Sequence, residues 1–239
     1  GIADQTLPLT GDNIYSEIQK DMLRPVFISS LMAHDTFVRD WILAGESKPA
    51  QIVRYLAEVK KKYGAITSFL VSDKSSKYYY AEGTLKSVSP EATRDLWYYR
   101  LRAMDSTDYE TNVDVDMANR DSMTIFINHR VYDYDGQFIG ATGIGLTLAT
   151  MNHIIDRYQA RFHRNIYFVD AAGTLVLSGK TMREGHGNIR KLPGVNAIAE
   201  QIINHQSEPT HLSYELGRAQ ILVNSRYIPE LGWYLVVEQ

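Results

Sequence analysis

Cysteine is absent from the 239 residues. That excludes a thiolate zinc site, a disulfide framework and a cysteine nucleophile, and mildly favours an oxidising compartment, where a stray thiol is a liability. Charge of one sign is scarce too: 25 Lys and Arg stand against 28 Asp and Glu, a formal net charge of -3. Acidic and basic residues alternate and no basic run offers a phosphate-neutralising stripe, so nothing electrostatic points to nucleic acid as a partner. No apolar run approaches the ~18–20 residues that span a bilayer; the longest, Ile139 to Met151, is broken by Gly and Thr. Low-complexity segments are missing. Gly1 to Asp12 lacks the basic start and apolar centre of a signal peptide. The enzyme signatures GxSxG, HExxH, the P-loop and GxGxxG are missing as well.

What is present is 44% hydrophobic residues, enough for one large core or two small ones. The first 46 residues read as one long helix with Asp12 as its N-cap. Ile14, Ile18, Met22, Val26 and Phe27 recur at helical spacing, followed by Leu31, Phe37, Val38, Trp41 and Ile42; Pro25 should kink or divide the helix, and Gly45 ends it. A second helix covers Pro49 to Tyr63 and stops at Gly64. The pattern then predicts strands at 66–72 and 77–82, a helix from Pro90 to Met104, and strands at 109–113, 123–133 and 138–147, the last two joined by the Asp135-Gly136 turn. The order recurs with a helix at 149–162, strands at 166–169 and 174–177, and a loop containing Gly185, Gly187 and Pro193. A helix at 194–204 and strands at 211–215, 220–226 and 233–237 complete the second round. Two α+β units joined near Ala149 are the natural reading.

Three motifs have blander readings. Gly140-Ala141-Thr142-Gly143-Ile144-Gly145 is glycine-rich but lies inside a strand pattern, which favours close backbone packing over phosphate cradling. Asp114 to Asp121 resembles a calcium loop, yet Ala118 holds the fifth position, no Gly the sixth, and no Glu closes it. The seven histidines are scattered, none paired at i, i+3 or i, i+4, so they predict no metal site. More informative are Tyr78, Tyr79, Tyr80, Trp97, Tyr98, Tyr99, Tyr109, Tyr132 and Tyr134, all in the first unit. Taken singly, each tyrosine reads as core. As a group beside Asp95, Asn112, Asp114 and Asn128 they have the makeup of a small polar pocket with aromatic walls.

The chain resembles a double Cache (dCache, PAS-like tandem) sensor domain over essentially its whole length. The resemblance is carried by the long N-terminal helix, by Trp97-Tyr98, by Val131 to Leu146 (VYDYDGQFIGATGIGL) and by Ile166 to Leu177 (IYFVDAAGTLVL). The Tyr109 to Leu146 region is similar to the sensor halves of membrane-bound GGDEF diguanylate cyclases, and such sensors also occur on histidine kinases. The resemblance implies an α+β fold: a long N-terminal signalling helix (1–47), a membrane-distal Cache module with the ligand pocket (48–148) and a membrane-proximal one (149–239), each an antiparallel sheet flanked by helices. It implies a periplasmic domain anchored in the inner membrane by segments outside these residues. The end of the sequence just after the strand-like Leu235-Val236-Val237 fits that expectation.

In amino-acid-binding relatives an Arg two residues before the Trp-Tyr pair holds the ligand carboxylate, and an Asp in the last strand holds the ammonium. Those positions are here Asp95 and Gly145. An amine or a neutral polar ligand is therefore expected over an α-amino acid; a one-residue shift would instead make Arg94 the clamp. The expected ligand residues are Tyr80, Asp95, Trp97, Tyr98, Tyr109, Asn112, Asp114 and Asn128. No cofactor, metal or catalytic residue is expected, and a homodimer through Ile14–Trp41 is. The output domain, diguanylate cyclase first and histidine kinase or chemoreceptor second, would lie beyond Gln239. The rival readings are a stand-alone periplasmic binding module, a metal-dependent hydrolase using Asp114 and Asp116, and a sensor with a vestigial pocket that only dimerises.

Overall fold

The structure, a computed structural model, describes residues 2–116, 122–183 and 187–239. The greater part of the Asp114–Asp121 stretch, and Gly185, lie outside the described residues. Two compact units divide the chain: Gly1–Leu23 with Ala149–Gln239, and Arg24–Leu148.

Helix α1 (Ile2–His34) contributes to both units. Ile14, Ile18, Met22 and Val26, four residues apart and so on one face, are all buried. The helix begins at Ile2, so Asp12 lies within it and is not its N-cap. Nor does Pro25 divide it. Proline forfeits one backbone hydrogen bond, but the buried stripe continues on both sides of it and Pro25 is itself buried, which offsets the loss. The break falls at Asp35, whose side chain accepts the Phe37 amide at 2.9 Å and caps the next helix, α2 (Thr36–Leu43).

In the Arg24–Leu148 unit, α3 (Pro49–Tyr63) starts on proline and ends at Gly64, φ 64°, as its sequence predicts. Then come β1 (Thr67–Ser72), β2 (Lys77–Tyr80), β3 (Gly83–Ser87), α4 (Leu96–Arg102), β4 (Tyr109–Asp116), β5 (Ser122–Tyr132) and β6 (Phe138–Thr147). The strands form one antiparallel sheet in the order β3-β2-β1-β6-β5-β4. Alternation sorts its side chains. Leu70, Tyr79, Val131 and Ile144 pack with Ile28, Met32, Trp41, Ile42, Ile52 and Leu56 of α1, α2 and α3. Phe69, Val71, Tyr78 and Ala141 point the other way and pack with Tyr98 and Leu101 of α4. Gly140 and Gly143 let backbones approach: a Cβ would lie 2.4 Å from the Val71 carbonyl oxygen at the first and 1.8 Å from that of Ile127 at the second. The glycine-rich stretch is therefore sheet packing.

Two elements depart from expectation. The strand β3 was unforeseen, since Gly-Thr-Leu-Lys-Ser carries little strand signal. The helix expected from Pro90 begins only at Leu96, after a 3-10 turn at Thr93–Asp95, because Ala92 is extended (ψ 121°) and the buried Asp95 carboxylate is tied back to the Ser89 amide.

The other unit repeats the plan with α5 (Leu148–Phe162), β7 (Asn165–Val169), β8 (Leu175–Ser178), α6 (Lys180–Arg183), α7 (Ala199–Ile203), β9 (Thr210–Leu216), β10 (Ala219–Ile228) and β11 (Trp233–Glu238). The helix expected over 194–204 is a 3-10 turn at Val195–Ala197 followed by α7. Its sheet order, β8-β7-β11-β10-β9, matches the first sheet without β3. Within this unit α5 is tied to α1: the Tyr158 hydroxyl donates to Asp21, and Arg161 meets Glu17 at 2.6 Å. The α+β fold with a long N-terminal helix and two antiparallel sheets is as the sequence predicts. Among the described residues no helix is long and apolar enough to cross a membrane.

Candidate ligand-binding site

A pocket opens on the α4 side of the sheet in the Arg24–Leu148 unit. Period-two alternation delivers Asn112 and Asp114 from β4 and Phe126 and Asn128 from β5 to one face, with Asn112 directly opposite Phe126 in the register. Phe69, Tyr78, Leu85 and Lys86 come from β1, β2 and β3. The 3-10 turn supplies Arg94 and Asp95, and α4 supplies Trp97. The void is about 430 Å³, mouth included, of which about 30 Å³ admits the centre of a water molecule. The larger figure counts open solvent at the mouth; the cavity proper has room for a water or two.

Aromatic rings set the walls. Phe69 stacks on Tyr78 at 5.6 Å between centroids and meets Trp97 and Phe126 edge-on at 5.5 and 6.2 Å. The polar content is balanced: two cations, Lys86 and Arg94, two carboxylates, Asp95 and Asp114, and two amides, Asn112 and Asn128. Asp95 is the most enclosed of the charges at 2% exposed. Its Oδ2 accepts the Ser89 amide at 2.9 Å and its Oδ1 pairs with the Lys86 ammonium. A buried carboxylate persists only when its oxygens are matched in this way.

Five of the eight residues expected at a ligand site line this pocket together: Asp95, Trp97, Asn112, Asp114 and Asn128. Arg94 lines it as well. Tyr80, Tyr98 and Tyr109 lie outside the lining. Tyr80 is at the end of β2, its hydroxyl 3.3 Å from Glu82. Tyr98 is core, 1% exposed, and donates to Asp73 Oδ1 at 2.5 Å; burial first and that carboxylate second raise its pKa. Tyr109 stacks on His129, a residue on the opposite face of β5 from Asn128, and burial lowers the pKa of that His129. The lining residues that the sequence did not single out are Phe69, Leu85, Lys86 and Phe126. The Phe126-x-Asn128 alternation was a usable signal for one of them. For Lys86, on the unforeseen β3, there was none.

Each described unit is a single antiparallel sheet flanked by helices, and the Arg24–Leu148 unit holds a polar, aromatic-walled pocket. The chain belongs to the Cache domain family, whose model matches residues 2–239. Among solved structures it is similar to the sensory domain of the Campylobacter jejuni chemoreceptor Tlp3, at 12% identity and TM-score 0.65, covering 98% of this chain and 90% of that one. It is also similar to the extracellular domain assigned to the histidine kinase mmHK1S-Z2, at 8% identity and TM-score 0.67 over 99% and 96%. The ligand-binding domain of Mlp24 with asparagine matches at 14% identity and TM-score 0.56 over 100% and 95%. At these identities the likeness is one of fold. By their names these three solved neighbours are a chemoreceptor's sensory domain, an extracellular domain and a ligand-binding domain.

Proposed function

We propose that this chain is the periplasmic ligand-sensing domain of a bacterial inner-membrane receptor, with its ligand seated in the pocket of the Arg24–Leu148 unit. The observation that carries the reading is the convergence of Asp95, Trp97, Asn112, Asp114 and Asn128 on one aromatic-walled void. In this reading residues 48–148 form the membrane-distal module, 149–239 the proximal one and 1–47 the signalling helix. A ligand held between Trp97 of α4 and Asp114 of β4 bridges the crossover helix to the sheet. It shifts the population of the domain by as much as it prefers one setting of that helix.

The preferred ligand is an amine or a neutral polar molecule. A carboxylate over Trp97 meets Lys86 and Arg94 as well as Asp95 and Asp114, so the preference rests on Asp95, the most enclosed of the four: a like charge held 4 Å from it costs on the order of 4 kcal/mol at an effective dielectric of 20. An ammonium on Asp95 is a pairing the pocket already makes with Lys86. A second reading, an α-amino acid, is favoured by Arg94 in the lining and by the isoleucine-bound Tlp3 and asparagine-bound Mlp24 neighbours. Homodimerisation through α1 is supported by Phe27 and Leu31, one helical turn apart and 59% and 68% exposed. The Tyr109–Leu146 resemblance supports a diguanylate cyclase output; the structural neighbours support a chemoreceptor or histidine kinase.

The test is a thermal-shift screen against amines, amino acids, carboxylates, nucleobases and sugars, since a ligand that binds only the native state raises Tm with saturation. A hit among amines or neutral polar molecules, lost on Trp97→Ala, is expected. An L-amino acid hit lost on Arg94→Ala would replace the preferred ligand class with the second one.

A further inference from the structure

Lys86 occupies the pocket in the manner of a ligand. Its side chain is 20% exposed, and its ammonium sits on Asp95, a carboxylate 3% exposed whose other oxygen is already held by the Ser89 amide at 2.9 Å. The neighbour directly across the ladder is Tyr78, whose ring stacks on Phe69. An alkyl stem beside aromatic rings, ending in an ammonium on an enclosed carboxylate, is the contact set of a bound primary amine. The tether is the edge strand β3, which is hydrogen-bonded on one side only, to β2, with a register shift at Tyr78/Tyr79. An edge strand is the element of a sheet that moves at least cost in backbone pairing.

We propose that Lys86 is a built-in competitor: an incoming primary ammonium takes Asp95 by displacing the Lys86 ammonium, one cation exchanging for another with no net change of charge in the wall. The inference rests on the amine reading of this pocket and deepens it. It makes Lys86 a setting for sensitivity. Only amines concentrated or shaped well enough to beat a tethered rival at high effective concentration are registered, and displacement of Lys86 reports occupancy to β3.

Truncation at Cβ removes a propylammonium fragment, so the probe is n-propylammonium chloride, with sodium chloride of equal ionic strength and 1-propanol as controls. The variants are Lys86→Ala and, with packing kept should that one fail to fold, Lys86→Met. Lys86→Ala is expected to melt below wild type and to regain Tm with millimolar n-propylammonium but with neither control; Lys86→Met, whose side chain still fills the stem's space, is expected to melt below wild type and to regain Tm with ammonium chloride but not with sodium chloride of equal ionic strength. By calorimetry Lys86→Ala should bind the amine at least tenfold more tightly than wild type, and Lys86→Ala/Asp95→Asn should lose that gain. Equal affinities of wild type and variant would overturn the exchange and leave an amine site standing. Binding by neither, while another compound class still shifts Tm, would overturn the amine class together with the exchange.

Discussion

Alkali unfolds each unit through its buried phenols. In the Arg24–Leu148 unit Tyr98 donates to Asp73 at 2.5 Å and Tyr79 to Glu46 at 2.8 Å. In the other unit Tyr167 donates to Glu238 at 2.6 Å and Tyr158 to Asp21. Each phenolate would lose its hydration and face a carboxylate, so all four hydroxyls are raised above their ordinary value, burial being the larger cause; Tyr79 is pushed up to about 12. In the unfolded chain the same phenols ionise near pH ~10. The stability they contribute is whole below that pH and is lost as pH rises through the folded values, because the unfolded state releases protons that the folded state keeps. At pH ~11 each group costs about RT ln 11, or ~1.4 kcal/mol, and two per unit cost about 3 kcal/mol. That is a large part of the ~5–15 kcal/mol that holds a domain together. Circular dichroism and phenolate absorbance, followed together against pH, check this. Exposed tyrosines should ionise near pH ~10 with the fold intact, and the rest should ionise in one step with its collapse near pH ~12, where the two per unit cost about 5 kcal/mol. Ionisation of every tyrosine near pH ~10 with the dichroism unchanged would refute the reasoning.

Gly143→Ala should cost about 3 kcal/mol or more in chemical denaturation, because the new Cβ would lie 1.8 Å from the Ile127 carbonyl oxygen and only a backbone shift relieves it. Tyr98→Phe should cost about 1–2 kcal/mol: the abandoned Asp73 carboxylate is 33% exposed and water can reach it. Since Tyr98 lies outside the pocket lining, ligand affinity measured by calorimetry should change less than twofold, on the order of experimental error. Phe27→Glu with Leu31→Glu should leave the unfolding free energy within ~0.5 kcal/mol of wild type, because both side chains are exposed; by analytical ultracentrifugation the pair should shift any dimer to monomer.

Much of the fold was legible because burial imposes periodicity. The α3 boundaries, the β5–β6 hairpin at Gly136 and the central strand β11 follow from spacing and turn residues alone. The misses are places where tertiary contacts outrank local preference. Pro25 stays within α1 because the buried stripe continues past it, and the crossover helix starts late because Asp95 is pulled back to Ser89. In the pocket, Asn112, Asp114 and Asn128 could be picked as polar residues at alternating strand positions, and Asp95 and Trp97 by their place at the head of the crossover helix. Tyr109 was picked by type, although its odd position puts it on the opposite face of β4 from Asn112 and Asp114. Lys86 was illegible: its role depends on a short edge strand with little strand propensity and on a partner, Asp95, held in a 3-10 turn.

The central claim is that the ligand seat lies in the Arg24–Leu148 unit, and hydrogen–deuterium exchange on the chain saturated with its best thermal-shift hit tests it most directly. Protection gained in the turn at Thr93–Asp95 and in β4 and β5, and absent in Trp97→Ala, is the expected result. Protection confined to Ala149–Gln239, with the pocket segments exchanging as in the free protein, would contradict it.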